Sequence, residues 1–427
     1  MRILVLTPQL PCPPWQGTTI RNFNLIAQLA ARHELHLLTF VRDESRMDEA
    51  APLREHCASI RAVVAPQRPL SARLRDLLLT PHPDMALRLR APDFQRALGE
   101  VLSGHTFDVI QIEGIELAQY ALWLRGQVPP GLPPLPPPLP TGDLPLLVFD
   151  DHNAEYLLQQ RAFETDLRRP GRWAGAAYSF VQWRRLRRYE ARVCRAADRV
   201  VAVSEADSAA LRALSPGLEV AVVPNGVDVA RHSDYRPAQS PLAAETKDSL
   251  VYVGKMDYRP NVDAMLWFAD EIFPLVREKA PQARLYIVGM NPHPRLERLA
   301  GQPGITITGC VPEVRDYIAP AALVVVPLRM GGGTRLKVLE AMAMGKAIVS
   351  TTVGAEGLGA TAGRELLLAD EPRDFAGAVT ALLRDPARRA ALGQKRRLLW
   401  RRVSIGRLLC PGWRGCTRLQ SKSHCVH

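Results

Sequence analysis

The dominant pattern along the chain is an alternation of short apolar runs with longer amphipathic stretches. Runs such as residues 3–7 and 322–327 are continuous and rich in Val, Ile and Leu, which predicts buried strands. The stretches between such runs repeat their apolar residues at helical spacing, as in residues 20–29. Because strands alternate with helices, the pattern predicts parallel sheets that are covered by helices on both faces.

The alternation breaks between residues 228 and 247, where prolines replace periodic apolar residues. We therefore predict two doubly wound α/β domains, one over residues 1–235 and one over residues 236–395. Residues 127–145 are so rich in proline that they predict an exposed polyproline-type loop within the first domain. Such a loop is either a passive insertion or a ligand for an SH3-like partner.

The charge of the chain is concentrated at its end. The net charge is +12, and residues 395–427 contain nine Lys or Arg and no Asp or Glu. The rest of the chain is therefore only mildly basic, and we predict no binding of nucleic acid. The basic tail, residues 396–427, has no clear periodicity, and its Cys and His residues are poorly spaced for zinc. It is interpreted as an out-of-frame or degenerate end, with a functional tail as the alternative.

The cysteines and the apolar segments indicate a cellular compartment. The seven cysteines form no CxxC pair, which favours a reduced cytoplasmic protein. The chain has no run of about 18 apolar residues that would span a membrane. The residues after Arg2 also lack the long apolar core of a secretory signal.

One stretch combines several features of a phosphate site. After the predicted strand 322–327 the chain has a glycine-rich turn and then a strong helix pattern that ends at Gly345. A strand, a glycine loop and a helix start bring backbone N–H groups against a phosphate, and Arg335 and Lys337 add cations there. Glu340 lies about one turn after Lys337, where it suits ribose hydroxyls. The alternative is an ordinary turn in which Glu340 pairs with Lys337. The candidate phosphate-contacting residues of the loop are Gly331, Gly332, Gly333 and Thr334.

Other polar residues stand where predicted strands end, which is the edge at which ligands bind in such sheets. Gly17 precedes the first predicted helix and either lets the backbone approach a ligand or merely forms a turn. His152 can donate to a phosphate or a sugar hydroxyl, or exchange a proton. Its neighbour Asn153 is instead suited to begin the next helix. In the second domain, Lys255 and Arg259 follow a strand and suit a diphosphate, with ordinary surface charge as the alternative.

Residues 172–195 predict one long helix in which aromatic residues lie among arginines. A basic, aromatic helix can lie on an anionic membrane surface. The alternative is a helix with its apolar face on the core and its arginines in water.

Taken together, the motifs resemble those of the retaining, GT-B-fold glycosyltransferases of family 4. The resemblance covers about residues 1–395 and rests on the order of four motifs, of which the last has the glycine-rich Thr-Arg-x-Lys form of a subgroup. They are residues 223–228, 253–255, 309–312 and 330–346. The resemblance implies two Rossmann-like domains facing a central cleft, with the acceptor side in the first and the nucleotide-sugar donor side in the second.

The resemblance also implies roles for the residues of the donor domain. Glu340 matches the second glutamate of the family's paired-glutamate motif, which holds the donor ribose, and Gly332 stands in place of the first. Lys255 matches the first diphosphate-binding cation. The usual second cation, a lysine, falls at Pro260, so Arg259 or Lys337 takes over.

Further matches lie outside this motif. His152 matches the active-site histidine of the N-terminal domain, which meets the donor sugar and the acceptor. Gly17 matches the glycine of the first loop, and Val311 lies where backbone groups usually meet the base.

The implied activity is metal-independent transfer of a hexose from a UDP- or GDP-sugar to a glycan or lipid-linked acceptor in cell-surface polysaccharide biosynthesis. The catalytic candidates are His152, Lys255, Arg335 and Lys337. No cofactor is expected besides the donor, and the basic helix 172–195 would give peripheral contact with the inner membrane face. Two alternatives remain, a GT-B-fold nucleotide-sugar epimerase and a non-catalytic nucleotide-sugar binder disabled by its tail.

Overall fold

The computed structural model describes residues 1–14, 17–127, 145–167, 170–225, 232–233, 235–237, 241–242, 246–331, 335–356, 358 and 363–393. The proline-rich loop at 127–145, the second half of the motif at 223–228 and the tail at 396–427 lie mainly or wholly outside these residues. The chain divides into two compact units, Met1–Pro224 and a second unit that begins at Asn225. The predicted boundary at 235/236 falls shortly after this division.

The first unit is built on a seven-stranded parallel sheet in the order β3-β2-β1-β4-β5-β6-β7. Its strands are β1 (Arg2–Thr7), β2 (Glu34–Val41), β3 (Ser59–Val64), β4 (Val109–Glu113), β5 (Leu146–Asp151), β6 (Arg199–Ala202) and β7 (Val220–Val222). Its helices are α1 (Gly17–Ala30), α2 (Leu70–Leu79), α3 (Asp84–Arg88), α4 (Pro92–Gly104), α5 (Ala118–Leu124), α6 (Glu155–Leu167), α7 (Trp173–Ala196) and α8 (Glu205–Arg212), with 3₁₀ turns at Glu44–Glu55 and Pro170–Arg172.

The second unit repeats this architecture on a six-stranded parallel sheet in the order β10-β9-β8-β11-β12-β13. Its strands are β8 (Ser249–Val253), β9 (Arg284–Val288), β10 (Ile305–Gly309), β11 (Leu323–Val326), β12 (Ile348–Ser350) and β13 (Leu367–Leu368). Its helices are α9 (Arg259–Trp267), α10 (Phe273–Lys279), α11 (Arg315–Ile318), α12 (Leu336–Ala343) and α13 (Pro372–Arg384); a π-helical turn, Phe268–Ile272, joins α9 to α10, and 3₁₀ turns lie at Thr246–Asp248, Pro294–Leu299 and Val353–Ala355.

In both sheets the strand order reverses beside the first strand of the unit. In the second unit β8 lies between β9 and β11, with Leu250 opposite Leu323 and Val253 opposite Val288. In sheets with such a strand order, ligands bind outside the carboxyl ends of the strands, at the point of reversal. The predicted fold, two doubly wound α/β domains with parallel sheets, is confirmed.

The inner strands of the first sheet, such as β1, β4, β5 and β6, are buried because their apolar runs lie inside the unit, whereas β3 at its edge has no buried residue. Every residue of β4 and β5 is buried, including the polar Glu113 and Asp150 at their ends. Buried polar groups need partners inside the protein. The partners of Glu113 and Asp150 therefore indicate how the strand ends of this unit are organised. Among the described helices, none is both long and apolar enough to cross a lipid bilayer.

Candidate active site

The carboxyl end of β8 is built around two glycines that bring backbone segments very close together. The N–H of Gly254 donates to the carbonyl of Val288 at 3.0 Å. A Cβ on Gly289 would lie 1.7 Å from the carbonyl oxygen of Gly254, and Gly289 has a φ of +154°. A Cβ on Gly254 would lie 2.8 Å from Nδ2 of Asn261 and 3.1 Å from Nζ of Lys337. The absence of side chains here is what leaves room for the lysine.

Lys337 reaches this point from α12 and is held by two residues of other elements. Its Nζ donates to Oη of Tyr252 at 2.8 Å and to Oδ1 of Asn261 at 2.9 Å. The Tyr252 hydroxyl in turn donates to the same Asn261 oxygen at 2.6 Å. Asn261 uses its Nδ2 to donate to the carbonyl of Lys255 at 2.9 Å. The network therefore joins Lys337 to the loop that carries Lys255.

The surroundings of Lys337 disfavour its charge. Burial, assisted by the positive charge of Arg335, lowers the pKa of Lys337 to about 7, although Glu340 opposes the shift. A bound anion would reverse this balance, since an opposite charge close by favours the ammonium form. The lysine is therefore poised to take up a proton when an anion binds.

The other two predicted cations of this loop lie nearer the surface. Lys255 is 39% exposed and its Nζ is 3.4 Å from a carboxylate oxygen of Asp257. Arg259 is the first residue of α9, followed by Pro260 in the first helical turn. Proline suits this position because the first N–H groups of a helix have no intrahelical partner.

Arg335 is buried rather than exposed. It directly precedes α12, its side chain packs under Gly331, and its Nη2 is 3.5 Å from the carbonyl oxygen of Val353. Gly331 has a φ of +118°, and a Cβ there would lie 3.2 Å from both terminal nitrogens of Arg335. The adjoining Gly332, Gly333 and Thr334 lie outside the described residues.

Glu340 faces the loop that follows β10. Burial and the negative charge of Glu313 raise the pKa of Glu340 to about 7, while the positive charges of Arg315 and Lys337 oppose the shift. Glu313 pairs with Arg315 at 2.5 Å. The partly exposed Val311 belongs to the same loop, so the structure brings the predicted ribose residue and the predicted base loop into one neighbourhood.

In the first unit, His152 follows β5 and is held by the end of the neighbouring strand. Its Nε2 is 2.7 Å from Oε2 of Glu113. The second carboxylate oxygen of Glu113 accepts from Nε2 of Gln111 at 2.5 Å. The register of the sheet puts Asp150 opposite Glu113, and Asp150 is paired with Nη2 of Arg21 at 2.6 Å.

In this network the positive Arg21 and His152 balance the negative Asp150 and Glu113. Burial of the His152 ring opposes its charged form, but the hydrogen bond to Glu113 and the charges of Glu113 and Asp150 together raise the pKa of His152. Glu113, Asp150 and His152 each bring one potential ligand atom within 4.8 Å of the others. Because Arg21, Gln111 and the imidazole already engage these carboxylates, we interpret the cluster as a hydrogen-bonded network and not as a metal centre.

The helix after His152 begins differently from the alternative offered by the sequence. The side chain of Asn153 donates to Glu155 at 3.2 Å and does not cap the helix. The N–H groups of Glu155 and Tyr156 instead donate to the two carboxylate oxygens of Glu190, each at 2.7 Å. Burial raises the pKa of Glu155 to about 7 and that of Glu190 to about 8, each also repelled by a neighbouring carboxylate. The loop bearing His152 is thus positioned by a residue of α7.

Gly17 is the first residue of α1 and is exposed. One turn later, Arg21 is buried and also donates to the carbonyl of Val223 at 2.9 Å. Arg21 therefore ties α1 to the ends of β5 and β7. Sequence reasoning missed Arg21, Tyr252, Asn261 and Glu190. The one signal available for Arg21 was an arginine placed on the otherwise apolar face of a predicted helix.

Comparison with family models identifies both units. The model described as Glycosyltransferase Family 4 matches residues 15–231, and the model described as Glycosyl transferases group 1 matches residues 247–385.

Individual similar proteins agree with these two family matches. The D-inositol 3-phosphate glycosyltransferase of Rhodococcus opacus (strain B4) is 29% identical over 222 residues, which is 48% of this chain and 49% of that protein. The chain thus spans about half of the length of this curated relative and a smaller share of the length of another. Among solved structures, the sucrose-phosphate synthase of Thermosynechococcus elongatus has a TM-score of 0.67 at 19% identity, covering 97% of this chain and 99% of that one. The Anabaena protein Alr3699/HepE, solved in complex with UDP and glucose, has a TM-score of 0.61 at 15% identity, covering 97% and 100%. At these identities the structural likeness shows the GT-B fold.

Proposed function

Because this chain belongs to glycosyltransferase family 4, whose model matches half of it, we propose that it transfers a hexose from a nucleotide-sugar donor to a hydroxyl group of a glycan or lipid-linked acceptor. The transfer retains the configuration of the sugar and serves the synthesis of a cell-surface polysaccharide. The observation that carries the proposal is the placement of Lys337 against Gly254 by Tyr252 and Asn261.

Lys337 supplies the second cation of the diphosphate site. Pro260 stands where a lysine was expected, and Asn261 directly follows it. Since Oδ1 of Asn261 accepts from Nζ of Lys337, the charge arrives beside the same helix start from a different element. Lys255 on the adjoining loop provides the other cation, with Arg259 beside it at the start of α9. A site with these cations needs no metal ion to bind a diphosphate.

The nucleoside lies along α12 and the loop after β10. Glu340 accepts hydrogen bonds from the ribose hydroxyls, and the backbone around Val311 meets the base. A UDP-sugar or a GDP-sugar fits this scheme, and the Anabaena protein of similar fold was solved with UDP.

The chemical step requires stabilisation of the leaving diphosphate. The bond between the anomeric carbon and the phosphate oxygen breaks, and a bond to the acceptor oxygen forms on the same face. The acceptor proton passes to the leaving phosphate oxygen, so no dedicated side-chain base is needed. Lys255, Lys337, Arg335 and the amides of the glycine loop stabilise the developing negative charge.

His152 acts on the acceptor side. Its Nε2 is engaged by Glu113, which holds the ring in one orientation and favours the imidazolium. A positioned imidazolium donates a hydrogen bond to a hydroxyl of the donor sugar or of the acceptor. Helix α7 matches the predicted helix 172–195 and carries arginines that would bring the enzyme to an anionic membrane, where a lipid-linked acceptor resides.

Nucleotide binding followed by turnover tests this function. We expect the midpoint of thermal unfolding to rise with UDP or GDP, and the rise to be lost in Glu340→Ala and Lys337→Ala but kept in Lys279→Ala, a matched change of an exposed lysine of the same unit. The matching nucleotide-sugar should then be consumed only with an acceptor. Consumption without any acceptor would indicate an epimerase. Binding without turnover would indicate a non-catalytic binder, and no shift with any nucleotide would contradict the donor site.

A further inference from the structure

The loop that follows β11 is anchored at two successive residues before it reaches Gly331. The carbonyl of Leu328, which is 1% exposed, accepts a hydrogen bond from the hydroxyl of Thr351 just after β12. The side chain of the next residue, Arg329, is bound by Asp263 of α9. Gly331 follows two residues later. The loop therefore leaves β11 from a fixed starting point.

Arg329 and Asp263 form a bidentate ion pair. Nε of Arg329 donates to Oδ2 of Asp263 at 3.0 Å, and Nη2 donates to Oδ1 at 2.9 Å. The side chain of Asp263 is 11% exposed and that of Arg329 is 35% exposed. The guanidinium carbon also lies over the ring of Trp267, 5.0 Å from its centroid. Two parallel hydrogen bonds and an aromatic face hold the guanidinium in one orientation, which a single contact between exposed charges does not.

The aromatic face belongs to the core of the second unit. Trp267 is buried and packs edge-on against Phe375 of α13, with the ring centroids 6.4 Å apart. Phe268, the first residue of the π-helical turn, packs against the same Phe375 at 5.8 Å. Asp263 and Trp267 are four residues apart, so they lie on one face of α9. One guanidinium can therefore meet both of them.

The same helix also holds the cations of the candidate diphosphate site. Asn261 accepts from Nζ of Lys337 and donates to the carbonyl of Lys255, whereas Asp263 accepts from Arg329. Residues two apart on a helix do not face each other, so the start of α9 is held from two sides. A displacement of this helix start would move Asn261, and with it the two lysines.

We propose that Arg329 and Asp263 form a latch that sets the spacing between residues 329–331 and the two lysines of the diphosphate site. In this arrangement Arg329 is a positioning residue and not itself a ligand of the diphosphate, because Asp263 neutralises its charge and engages two of its donors. The proposal rests on the proposed function, since it concerns the same site, and adds to that site an ion pair that none of the motifs identified.

Nucleotide affinity tests the latch, measured by isothermal titration with UDP or GDP. Arg329→Lys keeps the charge but cannot donate two parallel hydrogen bonds, and Asp263→Asn keeps the shape of the side chain but not its charge. We expect each variant to bind roughly tenfold more weakly than the wild type, and the double variant to bind no more weakly than either single one, since both changes break the same contact.

The same variants separate a latch from a direct ligand. If Arg329 bound the diphosphate itself, Arg329→Lys would bind nearly as the wild type does. Asp263→Asn would then bind more tightly, because it would release the guanidinium from its carboxylate. Either result would overturn the proposal.

The chain offers a matched control in the ion pair of Arg298 and Asp270. This pair belongs to the same unit and is also bidentate, with distances of 2.9 and 2.6 Å, but its side chains are 52% and 41% exposed. Arg298→Lys and Asp270→Asn should change nucleotide affinity by less than about twofold. All variants are compared below their unfolding midpoints, which are measured without nucleotide.

Two further outcomes have distinct meanings. Latch variants with a lowered unfolding midpoint but wild-type affinity would overturn the proposal and leave the pair a structural contact only. A wild type that binds no nucleotide would contradict the proposed function together with the latch, whereas a wild type that binds and variants that bind equally well would overturn the latch alone.

Discussion

The side-chain amide oxygen of Asn261 lies 2.9 Å from Nζ of Lys337. The two residues come from α9 and α12, which flank β8 and β11 at the point where the strand order reverses. Asn261 also binds the backbone of Lys255 at 2.9 Å. One amide side chain therefore sets the positions of two cations, and this makes it the first target for mutation.

Asn261→Ala should weaken binding of the donor nucleotide by roughly tenfold or more, since a hydrogen bond to a charged group is worth about 1.5–3 kcal/mol. Tyr252→Phe removes a single hydroxyl of the same network and should cost less, on the order of fivefold. Isothermal titration with UDP or GDP measures both. Equal affinity in Asn261→Ala and the wild type would show that Lys337 needs no positioning.

The pH dependence of nucleotide affinity should be bell-shaped with its optimum near neutrality. Lys337 and Glu340 both have a pKa of about 7. As the pH rises through this value, Glu340 gains the charge that binds ribose hydroxyls while Lys337 loses the charge that binds the diphosphate. Nucleotide affinity measured between about pH 5.5 and about pH 8.5 should fall on both the acidic and the basic side.

Two conservative variants separate these two sides. Lys337→Arg keeps its charge at all these pH values, so its affinity should no longer fall on the basic side. Glu340→Gln is neutral throughout, so its affinity should no longer rise on the acidic side. A flat wild-type profile would contradict the assignment of both residues to the site.

The linked effect on stability of the nucleotide-free protein has a definite sign for Lys337. Its folded pKa lies below its ordinary value, so the unfolded chain binds more protons between about pH 7 and pH 10.5. The lysine therefore contributes an increase in the free energy of unfolding as the pH rises through this window. In Lys337→Met this contribution should vanish. Urea unfolding at several pH values checks it.

Gly254→Ala should abolish nucleotide binding while the second unit stays folded. Its Cβ would meet the tips of Asn261 and Lys337, both side chains that can move away. Gly289→Ala places its Cβ 1.7 Å from a backbone oxygen and should instead prevent stable folding of the unit. Gly301→Ala, with nothing within 4 Å of its Cβ, is the control. Circular dichroism and nucleotide titration distinguish the three results.

Glu113→Gln should reduce turnover and leave nucleotide affinity unchanged, because it acts on His152 in the first unit. The raised pKa of His152 stabilises the fold fully below about pH 6.5, its unfolded value, and this contribution disappears as the pH rises through the raised folded pKa. The unfolding midpoints of variant and wild type should therefore differ more at low pH than at high pH. A difference that grows with pH would contradict the charged state of His152.

The fold was predictable because its signal is local. The strand predicted at residues 3–7 lies within β1, and the helix predicted at 172–195 differs from α7 by one residue at each end. Continuous apolar runs and helical spacing are read from neighbouring residues, so these elements need no tertiary information.

The candidate site was predictable only in part, because its partners are distant in sequence. Lys337 was identified from its motif, but its contact with Tyr252 joins residues 85 positions apart. Asn153 had the local features of a helix cap, yet Glu190, 35 positions from Glu155, caps α6. Buried charges such as Arg21 also acquire their meaning only from the carboxylate they meet.

The origin of Lys337 in α12 bears on how such proteins are compared with one another. A column-by-column comparison would record position 260 as a lost cation, because it holds proline there. In the proposed donor site, Lys337, 77 positions later, supplies the charge instead. Under the proposed function, the charge has changed its place in the sequence from one helix to its neighbour and still lies beside Gly254, so a survey that judged activity by position 260 alone would misclassify this chain.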